Sequence, residues 1–441
     1  MLDIKFIREN EKAVKKAIKD KGIDLDLNKL LEIDEQRRGL IHELDELRKE
    51  KKAAAKNRDV EKGKALKEKI KVAEEKLAAS EGVYQELILL VPNIPSKDTP
   101  VGGAEDFNVI EEWGKKPRFD FPVKDHVELG KTLDILDLER GAKVAGYRGY
   151  FLKNEGLLLH QGLLNLALRR LVAKGFTPMQ TPTMVREFAL VGSGHFPFGR
   201  PEIYEVEEYY PSPLQGEGRG EVKFLVGTAE PSLLAYHADE VLDVKQLPIK
   251  LCGISPCYRR EVGGYGKDTR GIYRVHEFMK VEQVVFGKND LEESEQIFQQ
   301  LNDSARELLE ELELPHRVIQ IAAGDMGAGK YKMYDIETWM PARKDYGETH
   351  SNSNLTDWQA RRLNIRYREK NEMKFVHTLN NTMIASPRIL IAILENHQQA
   401  DGSIAVPKIL QEFVGKEVLT PPRAVPAIAL REGWEEGKGR S

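Results

Sequence analysis

Two cysteines in 441 residues leave no material for a disulfide framework. Cys252 and Cys257 are separated by four residues in a run with apolar neighbours. A zinc site wants more ligands and tighter pair spacing, so the sequence predicts two buried free thiols on or beside a strand. No apolar run approaches the roughly 18 to 20 residues of a membrane span. The opening Met1-Leu2-Asp3-Ile4-Lys5 lacks the apolar core of a secretory signal. These absences make a cytoplasmic protein with no membrane partner the expectation. There is no Walker loop and no G-x-G-x-x-G after a strand, so any ATP chemistry must use another fold. A net charge of −4 argues against a uniformly basic nucleic-acid binder, and nothing points to DNA.

What is present is globular. Apolar residues make up 41% and charged residues 31%, and the length predicts two or three domains with at least one large core. The charge is unevenly spread. From Arg48 to Lys71 there are 11 Lys or Arg against 4 Asp or Glu, an excess of 7 positive charges in an otherwise near-neutral chain.

That island lies within a long segment poor in helix breakers. Residues 1–24 read as one short amphipathic helix stopped by Gly22. Leu30, Ile33, Arg37, Leu40, Leu44, Leu47, Lys51 and Ala54 then follow a 3-4 spacing, as do Leu66, Ile70, Ala73, Leu77, Ser80, Tyr84, Leu87 and Val91. Two such runs predict a coiled-coil seam. With turn residues from Asn57 to Gly63, the economical arrangement is an antiparallel helical hairpin about 45 Å long. Pro92, Pro95 and Pro100 end it and open a linker. The basic tip reads either as a solvated face or as a lever touching a phosphate backbone, and charge alone does not choose. The boundaries expected are 1–100 for this unit and 101–441 for a second domain.

The second domain has a different texture. Helical periodicity runs over Leu157–Val172, 292–313 and 385–399. Strand-like runs cover Ile249–Ile254, Glu282–Phe286, Arg317–Ala322, Tyr334–Met340 and Phe375–Thr378. Few βαβ alternations are visible, so an α+β fold with a mainly antiparallel sheet is expected. Residues 210–222, rich in Pro and Gly, read as a mobile surface insertion, and the tail after about Leu430 reads as disordered.

The stretch from Cys257 to Glu282 carries the most chemistry. It reads as strand, glycine-rich loop, strand. Arg259 and Glu261 are expected to alternate onto one face of the first strand, with Arg274, Phe278 and Glu282 spaced by four on the return. Arginine supplies forked donors for phosphate or carboxylate, glutamate accepts from an amine, and phenylalanine stacks on a flat base. A salt-bridged surface hairpin is the bland alternative.

This stretch resembles motif 2 of the class II aminoacyl-tRNA synthetases, most of all the seryl enzymes. Their pattern runs roughly Cys-Phe-Arg-Ser-Glu, a glycine-rich loop, Asp-Thr-Arg-Gly, then Arg-x-His-x-Phe-x-Lys-Val-Glu. The resemblance extends along the chain. Met1 to Asn10 is similar to that family's N-terminus, and the hairpin to its tRNA-binding arm. Gly141 to Tyr150, with the helix ending near Gly175 and Pro182, resembles motif 1, a dimerisation element. Thr228-Ala229-Glu230 resembles the serine-binding Thr-x-Glu. Glu348 to Asn354 with Asp357 to Arg361 is similar to the Mg-ATP segment. His377 to Arg388, followed by Leu394 to Gly402, resembles motif 3.

The resemblance implies a class II catalytic domain preceded by a coiled-coil arm. It implies an enzyme that activates L-serine with ATP and Mg²⁺ and transfers it to serine tRNA, and also to selenocysteine tRNA. It further implies a homodimer. Arg259 would hold the α-phosphate and the serine carboxylate region, Glu261 the adenine amino group, Phe278 the adenine ring and Arg388 the γ-phosphate end. Arg260, Val275, Thr349 and His350 join the implied ATP site, and Glu348 and Ser351 would ligate Mg²⁺ through oxygen. Thr228, Ala229, Glu230, Arg274, Glu282, Asn380 and Thr382 would line the serine pocket. Lys49, Lys52, Lys56, Arg58, Lys62, Lys64 and Lys67 would meet tRNA. Glu282 and Thr382 would lose a partner if alanine replaced serine, so such a pocket selects without an editing domain.

Two positions depart from the family pattern. Motif 3 lacks its usual glycines before Arg388 and has Pro387 there, which suits the first turn of a helix. Arg260 stands where a small serine is usual, and strand alternation would turn it to the opposite face. His276 and His377 are expected to be structural. Two rivals remain on sequence grounds. One is a serine-activating relative that loads a carrier protein, which would lack the arm. The other is a non-catalytic binder, which has no chemical need for Arg259, Glu261, Glu348 and Arg388 together.

Overall fold

The structure is a computed structural model that describes residues 1–206, 222–262 and 270–422. The expected insertion, apart from Val222, lies outside the described residues, as do Gly263–Thr269 of the glycine-rich loop and the tail from residue 423.

The chain opens with two helices where the sequence suggested one: α1 (Ile4–Glu9), capped by the Asp3 carboxylate, and α2 (Glu11–Asp20). Asn10 breaks them, with its side-chain amide turned back to the Phe6 carbonyl. Gly22 follows at φ +61, the left-handed stop expected of it. The hairpin is α3 (Leu27–Lys56) and α4 (Val60–Leu90). Its turn is tighter than the sequence suggested. Arg58 takes φ +57, Asp59 caps α4 by accepting from the Lys62 amide, and Gly63 is already helical.

The seam is apolar in the middle of the arm, where Leu44, Leu47, Ile70, Ala73 and Leu77 meet. Nearer its base it is ionic. Asp34, fully buried where Ile33 was expected, lies within 3.5 Å of both Arg8 and Arg37 and 3.2 Å of Arg38, and Arg37 stacks over Tyr84. A buried carboxylate is tolerable only with such partners. The base of the arm then packs Leu2, Ile7, Leu30, Ile88 and Val91 onto Trp358 of the second domain.

The second domain is built on an eight-stranded sheet. Its strands are β1 (Asn108–Trp113), β2 (Thr177–Gln180), β3 (Ile249–Tyr258), β4 (Glu277–Gly287), β5 (His316–Gln320), β6 (Lys332–Met340), β7 (Asp345–Asn354) and β8 (His377–Ala385). The order is β1-β5-β6-β7-β8-β4-β3-β2, and only the β2–β3 pairing is parallel. One face is covered by α5 (Asn154–Ala173), α6 (Leu291–Glu311) and α8 (Ser386–Asn396), whose Leu159, Leu163, Phe298, Leu301, Ile389 and Ile393 form the main core.

Two strand expectations need correction. Phe375–Thr378 straddles a break: one strand ends at Phe375, and β8 starts at His377. β7, Asp-Tyr-Gly-Glu-Thr-His-Ser-Asn-Ser-Asn, has no apolar alternation and reads poorly as a strand. It is nonetheless buried, because its side chains are satisfied internally. Asn352, for example, donates to the Phe298 carbonyl at 2.8 Å.

Candidate active site

On the face away from α6, side chains at alternate positions converge. From β4, Phe278, Lys280 and Glu282 share this face at the two-residue period of a strand. From β8, Asn380 and Thr382 join them, while Asn381 turns the other way and donates to the Leu301 carbonyl at 2.8 Å. β7 contributes through a bulge. Ile336 pairs with His350 and Glu337 with Glu348, so Thr349 has no opposite partner. A bulge lets residues three apart serve one face, and it brings Glu348 and Ser351 to the same side.

Arg259 and Glu261 reach the site by another route than strand alternation. β3 ends at Tyr258. The Arg260 amide donates to the Glu202 carbonyl at 2.9 Å, which draws the chain off the sheet, and Glu261 takes φ +51. Arg274 likewise precedes β4, yet its guanidinium meets the Glu261 carboxylate at 3.1 Å. Arg259 donates through Nε to the Gly227 carbonyl at 3.3 Å and lies 5.4 Å from the Phe278 ring centre. Arg260 is exposed and lines neither cavity described below.

Arg388 sits in the first turn of α8, with Pro387 beside it at the helix start. Its guanidinium contacts the Glu348 carboxylate at 3.2 Å and carbonyl at 2.9 Å, and covers the Tyr273 ring at 4.6 Å. Desolvation pushes the Glu348 carboxyl up, but Arg388, Arg259 and Arg274 together hold it below its ordinary value. Arg259, Glu261, Arg274, Val275, Phe278, Lys280, Glu348, Thr349, Thr382 and Arg388 enclose about 480 Å³ of space, its mouth included. A cleft lined by three guanidinia and an aromatic ring suits a nucleotide.

A polar cluster adjoins this cleft through Lys280 and Thr382. Glu230 is buried at the start of a short helix after Thr228 and Ala229. Its Oε1 accepts from Asn380 at 2.9 Å and from Gln359 at 2.7 Å. Glu282 is 2% exposed and ion-paired with Lys280, which also donates to the Thr382 hydroxyl at 3.3 Å. Burial pushes the Glu282 carboxyl up.

His350 is not brought to the cleft. It is buried on the α6 side of the sheet between the Thr349 hydroxyl and the Met383 carbonyl, and burial lowers its pKa to about 3. His276 and His377 bind the Arg259 carbonyl and the Ser294 hydroxyl. Three residues were given no role of their own by the sequence reading: Lys280, which lines the cleft, Gln359, which bonds Glu230, and Asp335, opposite Ser351. A sheet-face register would have placed Lys280 between Phe278 and Glu282. Nothing local marks the other two.

The comparisons decide the family. Residues 1–95 match the model for the seryl-tRNA synthetase N-terminal domain, and residues 210–397 match the class II synthetase core domain for Gly, His, Pro, Ser and Thr. The serine–tRNA ligase of Deinococcus radiodurans is 45% identical over 96% of this chain and 100% of its own length. The chain belongs to the seryl-tRNA synthetase family. It is accordingly an ATP-dependent aminoacyl-tRNA ligase that activates serine and transfers it to tRNA, on an antiparallel-dominated class II sheet preceded by a long helical arm. The seryl-tRNA synthetase of Pyrococcus horikoshii, solved with ATP, superposes with a TM-score of 0.86 at 37% identity, covering 96% of this chain and all of that one. The Naegleria fowleri serine–tRNA ligase, solved with AMP, gives 0.83 at 31%, covering 95% and 99%. No helix among the described residues is long and apolar enough to cross a membrane.

Proposed function

We propose that the cleft divides seryl-adenylate formation between its two ends, with Arg259 and Arg388 on the triphosphate and Glu230, Glu282, Asn380 and Thr382 on serine. The observation that carries this reading is the joining of two arginines, an aromatic wall and a buried acidic cluster in one continuous site. Phe278 stacks on adenine and Glu261 accepts from its amino group. Arg274, held by Glu261, lies between the nucleotide and serine ends. The chain's task is to align the serine carboxylate with the α-phosphorus and to neutralise charge, so no covalent enzyme intermediate is needed.

Mg²⁺ fits this chain at Glu348 and Ser351. The test is Asp335, directly opposite Ser351 across β6–β7. It is 8% exposed, and its Oδ1 is buried with no partner. Burial and the nearby Glu348 push its carboxyl well up. A buried carboxyl group, a half-exposed one beside it and a hydroxyl make an oxygen-rich place for a hard cation. No group of three or more His, Cys, Asp or Glu forms a protein-only metal site among the described residues. When bound, Mg²⁺ supplies charge neutralisation on the triphosphate.

The homodimer reading is supported by the helix Leu138–Ala145, the turn that follows it and α5, which expose Val144 (73%), Tyr147 (65%), Leu157 and Leu158. An apolar patch of this kind marks an interface. The arm grips tRNA. Lys49, Lys52, Lys56, Arg58, Lys62, Lys64 and Lys67 are all exposed around its tip, and RNA duplexes are read largely by shape and backbone charge. The division of labour follows residues 1–100 and 101–441, the cellular site is the cytoplasm, and selenocysteine tRNA shares the arm.

Trimming the hairpin between about Glu43 and Lys76, rejoined by a short turn, tests the arm. Adenylate formation stays, charging of tRNA falls sharply, and the salt dependence of tRNA binding flattens as phosphate contacts are lost. Unchanged charging by the trimmed, still dimeric protein would reduce the arm to a solvated coiled coil.

A further inference from the structure

A second cavity, about 750 Å³ with its mouth, adjoins the first. The two share Arg259, Glu261 and Arg274 as a common wall. Gly227, next to Thr228, lines the second cavity only, and Gln359 joins the Ser193 carbonyl to Glu230, so this space lies beside the serine end of the cleft. His195 also lines it, and the roles above give it no task.

The hydrogen bonding around His195 specifies its tautomer. Its Nδ1 lies 2.9 Å from the Ser193 hydroxyl oxygen. That hydroxyl has one proton, and it donates it to the Leu190 carbonyl at 3.2 Å. Ser193 therefore accepts from His195, and Nδ1 carries the ring proton. In a neutral imidazole the other nitrogen is then an acceptor. Nε2 has no hydrogen-bond partner among the described residues. Burial keeps the ring neutral by lowering its pKa; Glu230 opposes this, while Lys330, Arg259 and Lys280 reinforce it. The cavity also presents Glu202, Glu261 and Arg274. The second space thus offers a neutral imidazole acceptor beside the serine end, with Glu202, Glu261, Arg259 and Arg274 as its charged neighbours.

We propose that His195 Nε2 accepts the hydrogen bond of the attacking terminal-ribose hydroxyl of tRNA in the transfer half-reaction. This rests on the division of the cleft given above. ATP occupies the first cavity, so the acceptor end enters through the second. In the step itself the ribose oxygen bonds to the seryl carbonyl carbon. The bond from that carbon to the adenylate phosphate oxygen breaks, and AMP leaves with the electron pair. The hydroxyl proton goes with the departing phosphate. His195 orients the hydroxyl so that its oxygen lone pair faces the carbonyl, and Ser193 keeps the ring in the tautomer that can do so.

The test separates the two half-reactions in the full-length protein. Wild-type enzyme is first shown to form adenylate and to charge tRNA; failure there would count against the reading of the cleft, not against His195. His195→Ala should then slow single-turnover transfer from preformed seryl-adenylate at least about tenfold, the scale of one aligned hydrogen bond. Its serine-dependent pyrophosphate exchange should stay within about twofold of wild type, because no ATP contact is lost. His195→Gln, which offers an amide oxygen as acceptor, should recover most of the transfer rate. Equal losses in both half-reactions, unchanged transfer in His195→Ala, or no recovery with Gln would each overturn the proposal.

Discussion

Gln359 offers the sharpest test of how the cleft is held. It is 1% exposed in α7 (Trp358–Leu363). Its amide nitrogen donates to Glu230 at 2.7 Å and to the Ser193 carbonyl at 2.8 Å, and its oxygen accepts from Thr378 at 2.7 Å. Leucine is similar in size but removes all three bonds. The Ser193 carbonyl and the Thr378 hydroxyl are left buried without this partner, at about 1–3 kcal/mol each. Glu230 retains Asn380 but loses one of its two donors on Oε1. A hydrogen bond to a charged group is worth about 1.5–3 kcal/mol. If Glu230 binds serine, that loss becomes roughly 10- to 100-fold in serine KM. In the proposed site ATP is held by Arg259, Arg388 and Phe278, none of which touches Gln359, so on that reading its KM should move less than about twofold. Pyrophosphate exchange with each substrate varied in turn measures both, and thermal unfolding reports the stability loss separately. Equal rises in both KM values would show a generally loosened domain. An unchanged serine KM in a destabilised protein would remove Glu230 from the serine pocket.

Arg259→Ala should lower pyrophosphate exchange by at least about 100-fold, the scale of one preorganised charged donor; near-normal exchange would remove it from the phosphate site. Glu282→Gln should narrow the ratio of specificity constants for serine over alanine, and an unchanged ratio would mean that Glu282 does not read the hydroxyl. His316 and His350 are buried and neutral, with pKa values lowered to about 4 and about 3. The unfolded chain takes up these protons from about pH 6.5 downward, so their contribution is complete above that and is lost as pH falls toward 4. The melting temperature should therefore drop steadily from pH 7 to pH 5, and His316→Gln should flatten part of that slope. An identical slope in the variant would place the acid sensitivity elsewhere.

Much of the molecule was legible because its signals are short-range. The 3-4 spacing of apolar residues identified the arm, and the stretch from Asn57 to Gly63 contained its turn, since helix periodicity and capping act within a few residues. The order of the motifs from Thr228 to Arg388 carried the family. Tertiary structure decided the rest. Asp34 could enter the seam only because Arg8 arrives from another helix. Polar β7 is a strand because α6 and β8 satisfy its side chains, which no local pattern reports. The bulge at Thr349 brings Glu348 and Ser351 to one face and leaves His350 in the core, and it exists only as a register between two strands. Arg259 and Glu261 reach the cleft because Glu202 draws the chain off β3, not by strand alternation. Lys280, Asp335, Gln359 and His195 are ordinary residues in sequence. Each takes its place from partners far along the chain, because burial and electrostatics act through space.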